Sequence, residues 1–102
     1  MTYPKDIKEK IESDFGNKAP EVYKIIEDAI SKTDYINHHR IIRCIIFLAD
    51  KNIERLKKNI ERATYDPRDV MLLAEYINIE NDPKRIRDFN KTFTESEINV
   101  RE

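Results

Sequence analysis

Residues 40–76 read RIIRCIIFLADKNIERLKKNIERATYDPRDVMLLAEY, a stretch without glycine that divides into three helical patterns joined by short polar turns. Its first segment predicts a helix from about Ile36 to Ala49. At about 100° per residue, Ile41, Ile42, Ile45, Ile46, Leu48 and Ala49 cover more than half of its circumference. A helix apolar over so wide an arc belongs at the centre of a fold. The second segment predicts a helix from about Asn52 to Thr64 with Ile53, Leu56, Ile60 and Ala63 on one side. The joint at Asp50-Lys51-Asn52 is short enough to make the two a helical hairpin. The third segment starts at Asp66-Pro67-Arg68-Asp69. Asp66 is a capping residue, Pro67 occupies a position that needs no N–H, and Asp69 faces the electropositive first turn. This helix is expected to reach about Ile77, with Val70, Leu73, Ala74 and Ile77 as its core stripe.

Working outward, the other three prolines also stand at expected helix starts. Thr2 is a candidate cap for a helix from Pro4 to about Phe15, with Ile7, Ile11 and Phe15 as its stripe and Gly16 as its stop. Pro20 opens a helix whose Val22, Ile25, Ile26, Ala29 and Ile30 follow the spacing of one buried face. Asp82-Pro83 predicts a short sixth helix to about Lys91, and residues 92–102 read as a flexible tail. No strand pattern competes with these assignments. The expectation is an all-α, compact bundle of five or six short helices with a central helical hairpin, forming one domain over residues 1–91.

The 102 residues carry 19 Lys and Arg against 20 Asp and Glu, a formal net charge of −1. That balance gives no overall attraction for nucleic acid or an anionic membrane. The charge is uneven, however. Residues 36–62 hold 7 basic and 3 acidic side chains, while 1–35 hold 6 and 8, and 63–102 hold 6 and 9. The single cysteine, Cys44, has no partner for an internal disulfide, and no apolar run approaches a signal peptide or a membrane span. Cytoplasmic residence without membrane contact is the expectation.

Two surfaces remain after a core is assigned. Arg40, Arg43, Phe47 and Lys51 share the non-apolar side of the central helix, and Lys51, Arg55, Lys58 and Arg62 form a ridge on the next. Cations interleaved with an aromatic suit phosphates and stacked bases, although the ordinary alternative is a solvated face with Phe47 packed inside. Glu54 and Glu61 dilute the ridge through intrahelical pairs. On the helix after Asp66, Leu72, Tyr76 and Ile79 lie off the core stripe beside Arg68 and Glu75, a composition that suits contact with another chain.

Chemistry-bearing sets are sparse. His38 and His39 point about 100° apart on a helix and lack the further ligands that a zinc site requires. Cys44 has no activating base nearby, and a single glycine leaves no phosphate-cradling loop. Asp66, Asp69, Glu75 and Tyr76 would need a concave pocket to act as acid or base. No catalytic residue, metal site or cofactor is expected.

The segment Asp66-x-Arg68-Asp69-Val70…Ala74-Glu75-Tyr76, preceded by the charged and apolar hairpin, resembles one that recurs in small uncharacterised all-helical bacterial proteins. The resemblance covers the middle third of the chain. It implies no activity, only a shared structural or contact role for Arg68, Asp69, Glu75 and Tyr76. The sequence therefore predicts a non-catalytic protein-interaction module, with self-association to a homodimer included. Weak nucleic-acid binding through the basic central helices is the alternative.

Overall fold

A computed structural model describes residues 3–79 and 81–98. Five helices make up the body: α1 (Lys5–Phe15), α2 (Ala19–Lys32), α3 (His39–Ala49), α4 (Ile53–Tyr65) and α5 (Pro67–Glu75). Single 3₁₀ turns at Gly16–Lys18 and Asp34–Ile36 link α1 to α2 and α2 to α3. The expected all-α bundle is therefore present, with one small addition. Helix α5 stops at Glu75, short of the expected Ile77, and β1 (Tyr76–Ile79) pairs in an antiparallel hairpin with β2 (Asp82–Arg85), which replaces the start of the predicted sixth helix.

The helices begin and end for local reasons that were visible in the chain. Asn52 accepts a hydrogen bond from the Arg55 amide at 3.0 Å, and Asp66 accepts one from the Arg68 amide at 3.0 Å, so each supplies an acceptor to otherwise unpaired N–H groups. Gly16, with φ of 55°, ends α1 in a conformation that glycine adopts without a Cβ penalty. The α3–α4 joint achieves its reversal differently: Asp50 and Lys51 both take positive φ, 48° and 67°. Thr2, the expected cap of α1, lies outside the described residues.

The core forms as the periodicity requires. Ile7, Ile11 and Phe15 of α1, Val22 and Ile26 of α2, and Leu56, Ile60 and Ala63 of α4 are buried around Ile41, Ile42, Ile45, Ile46 and Ala49 of α3. Helix α3 touches α1, α4 and α5, which accounts for its wide apolar arc. Ile36, expected as the first residue of α3, is fully buried in the preceding 3₁₀ turn instead.

The hairpin departs most from expectation. Tyr76-Ile77-Asn78-Ile79 alternates in the strand manner, and Asn81 adopts φ of 66°, a left-handed value that asparagine tolerates well. Pro83 lies opposite Asn78. Antiparallel ladders alternate hydrogen-bonded with non-bonded pairs, so the proline occupies a non-bonded position where its missing N–H costs nothing. The Asp-Pro signal therefore starts a strand here rather than a helix.

Residues 92–98, expected as part of a flexible tail, are seated against the helices. The chain from Ile86 to Ile98 closes as a loop: the Ile98 amide donates to the Ile86 carbonyl at 3.0 Å and the Asp88 amide to the Ser96 carbonyl at 2.7 Å. Phe89 is buried in the core, and Phe93 packs against its edge at 5.6 Å between ring centroids. The rest of the predicted tail, residues 99–102, lies outside the described residues.

Candidate functional site

Helix α5 buries an unexpected side. Its buried arc contains Val70, Ala74, Met71 and Glu75, with Met71 only partly covered. At 100° per residue, that arc is rotated by roughly 80° from the predicted stripe. Leu73 and Ile77, predicted as core, are instead 53% and 42% exposed, and Leu72 is 54% exposed. Glu75, predicted on the surface beside Arg68, has no exposure at all.

The cause is an arginine cluster. Arg40 Nε donates to Glu75 Oε2 at 3.1 Å and Arg40 Nη2 donates to Oε1, a two-bond grip that fixes both groups. Arg85 of β2 donates from Nη2 to Glu75 Oε1 at 3.4 Å and to Asp88 Oδ1 at 2.9 Å. The Phe89 amide completes the set, donating to Glu75 Oε2 at 2.8 Å. A buried carboxylate is tolerated only when paired and hydrogen-bonded, and Glu75 meets that condition through three separate chain segments. The hairpin is what makes this geometry available. By reversing the chain after Glu75, it returns the Ile86 and Arg87 amides to the Glu75 carbonyl, at 2.7 and 3.2 Å, and carries Arg85 back over the end of α5.

One turn along α3, Arg43 repeats the arrangement. Its Nε and Nη2 donate to Asp6 of α1 at 2.8 and 3.0 Å, and its Nη1 donates to the Phe89 carbonyl at 3.1 Å. The Phe93 amide donates to the same Asp6 at 3.1 Å. Burial pushes the Asp6 carboxyl pKa up, but the hydrogen bonds from Arg43 and from the Phe93 and Ile7 amides outweigh it and hold the group below the usual carboxylate range. Two arginines on α3 thus each clamp a carboxylate that also holds an amide of the C-terminal loop.

This seam changes the predicted basic surface. Arg40 and Arg43 are engaged internally. Phe47 is half-buried, packed on Phe89 at 5.4 Å, with the Arg87 guanidinium stacked over its ring at 4.3 Å. Arg43 is buried, while Arg40 stays partly exposed. Lys51 in the α3–α4 joint and Arg55 and Lys58 on α4 are exposed, with Arg55 3.6 Å from Asp50, while Arg62 is half-buried and donates to Asn59. A shallow recess on this helix is lined by Arg55, Lys57 and Lys58 together with Glu54 and Glu61.

The predicted contact surface is altered as well. Leu72 is on the outer side of α5, as expected. Arg68 is exposed but held at 3.0 Å to Asp66 through both Nε and Nη2, and Tyr76 is half-buried at the start of β1. Glu75 leaves this surface, while Leu73 and Ile77 join it. The side chain of Ile79 lies outside the described residues. Tyr65, 83% exposed at the end of α4, shares a recess with Asp69, one turn before Leu72 and Leu73 on α5.

Among the described residues, no group of three or more His, Cys, Asp or Glu is placed to hold a metal ion, and no helix is long and apolar enough to cross a membrane. Burial pushes the Cys44 thiol up to about 12, with the nearby Glu75 charge adding to the effect, so it carries no thiolate near neutral pH. Compared with protein-family models, curated proteins and solved structures, the chain matches none.

Proposed function

We propose that this protein is a helical interaction module that associates with a second copy of itself through the outer face of α5. The supporting observation is the rotation of that helix: Leu72 and Leu73 stand about half exposed while Glu75 is fully buried. Covering the exposed half of each leucine would contribute about 1 kcal/mol, and Ile77 and Tyr65 extend the apolar area. Charges of both signs, Arg68 with Asp66 and Lys84 with Asp82, flank this face. A two-fold contact needs such self-complementarity. A standard interface takes about 800 Å² from each partner, a modest share of the 6864 Å² surface. Cytoplasmic residence belongs to the same reading and is supported by the lone buried Cys44.

Sedimentation velocity over a concentration series tests the proposal. The wild type is expected to show a monomer–dimer equilibrium by high micromolar concentration, and Leu72→Asp is expected to remain monomeric with an unchanged far-UV spectrum. A wild type that stays strictly monomeric would overturn it.

Weak nucleic-acid binding is the second reading, supported by the exposed Lys51 in the α3–α4 joint and Arg55 and Lys58 on α4. It requires an affinity that falls steeply with salt and is lost in an Arg55→Glu, Lys58→Glu variant. Glu54 and Glu61 in the same recess weigh against it.

A further inference from the structure

A cleft of about 550 Å³ opens where the start of α3 meets the start of α5, a volume within the range of small-ligand sites. Its lining includes His38, His39, Arg40 and Tyr35 on one side and Met71 and Pro67 on the other, and contains no Asp or Glu. Unlike the α5 face, it is concave and mixes donors with apolar wall.

Arg40 is the most constrained of these groups. Glu75 engages its Nε and Nη2 from the buried side, which fixes the guanidinium plane. The third nitrogen, Nη1, makes no hydrogen bond among the described residues, and the side chain remains 31% exposed. Holding a charged group rigid from behind, with one edge left toward solvent, removes much of the ordering cost of binding. His38 and His39 are exposed beside it with no side-chain hydrogen bond among the described residues, and the exposed ring of Tyr35 borders the same space. The carboxylates that balance Arg40 and Arg43, Glu75 and Asp6, do not line the cleft.

We infer that this cleft binds a small organic oxyanion, a carboxylate or phosphate monoester carrying an apolar body. The oxyanion meets Arg40 Nη1 and the two imidazoles, and the body lies against Met71, Pro67 and Tyr35. The N–H donors left on Nη1 suit a carboxylate or a phosphate oxygen alike, so the two sources share one chemistry.

The test is NMR titration of the full chain with benzoate, phenyl phosphate, inorganic phosphate and benzylamine. Saturable shifts clustered at amides around residues 35–41 and Met71 are expected with benzoate, phenyl phosphate or both, and whichever binds identifies the oxyanion. A His38→Gln, His39→Gln variant, altered only at exposed positions, should weaken that binding by about fivefold or more. Benzylamine, which has the ring but the opposite charge, should leave these amides unmoved. The inference is overturned if neither organic anion saturates, if benzylamine acts equally, if the double variant binds like wild type, or if inorganic phosphate binds as tightly as phenyl phosphate. None of these outcomes depends on the association proposed for α5.

Discussion

Arg40 and Glu75, 35 residues apart in the chain, share two hydrogen bonds in which the carboxylate is fully buried and the guanidinium remains partly open to solvent. The pair joins the first turn of the central helix to the last residue of α5. Because Glu75 also receives Arg85 and the Phe89 amide, one side chain sets the rotation of α5, the return of the hairpin and the seat of the C-terminal loop.

Removing this charge should therefore have wide effects. Glu75→Gln leaves Arg40 and Arg85 without their shared carboxylate and is expected to destabilise the fold by about 3 kcal/mol. Chemical denaturation measures the change. Hydrogen exchange should show its largest increase at Phe89, whose amide bonds the same carboxylate.

Asp6 has a pH signature. Its folded pKa lies below the unfolded value of about 3.9, so its stabilising contribution is complete above that value and is lost as pH falls through the folded pKa. Asp6→Asn should be less stable than wild type at neutral pH, by about 2 kcal/mol, and the gap should narrow below about pH 4. Asp66 and Asp88 also have lowered values, and both remain in the variant, so the difference between the two proteins isolates Asp6. Equal slopes of stability against acid pH in the two would contradict the clamp.

The outer leucines should behave unlike the core. Leu72→Ser with Leu73→Ser is expected to change monomer stability by no more than about 0.5 kcal/mol, since surface substitutions usually fall in that range. Val70→Ala, at a fully buried position, should cost more than 1 kcal/mol by an order-of-magnitude estimate. Urea midpoints measured at low protein concentration separate these cases.

Cys44 should resist a thiol reagent at mildly alkaline pH in the native state and react rapidly in denaturant, because its thiol is both buried and raised to about 12. Fast labelling of the folded protein would contradict the packing of α3 against α5.

The residues that formed helices did so at short range, where the sequence can be read directly. Asn52, Asp66 and Pro67 punctuate the chain within three residues of the amides they serve, and the apolar spacing of α1, α2 and α4 matches their buried faces. The hairpin was signalled only weakly, by the alternation of Tyr76–Ile79 and by Asn81 before Asp82. A helix-compatible Asp-Pro pair at the same place pointed the other way. The candidate surfaces were less legible. Arg40, Arg43 and Glu75 look like solvent-facing charges when each helix is projected alone, because their partners lie on other elements.

By itself, then, the sequence determined five helices, the Asp66 cap of α5, the Gly16 stop of α1 and the centrality of α3, since helix formation and amphipathic burial follow from neighbours within a turn or two. Only the tertiary structure decided which side of α5 faces inward. A carboxylate gripped by two arginines and an amide outcompeted leucine for the buried position, and that competition depends on Arg40, Arg85 and Phe89 arriving from distant parts of the chain. The same long-range pairing buried Arg43, left Leu72 and Leu73 outside, and fixed the partly exposed Arg40 at the edge of the cleft.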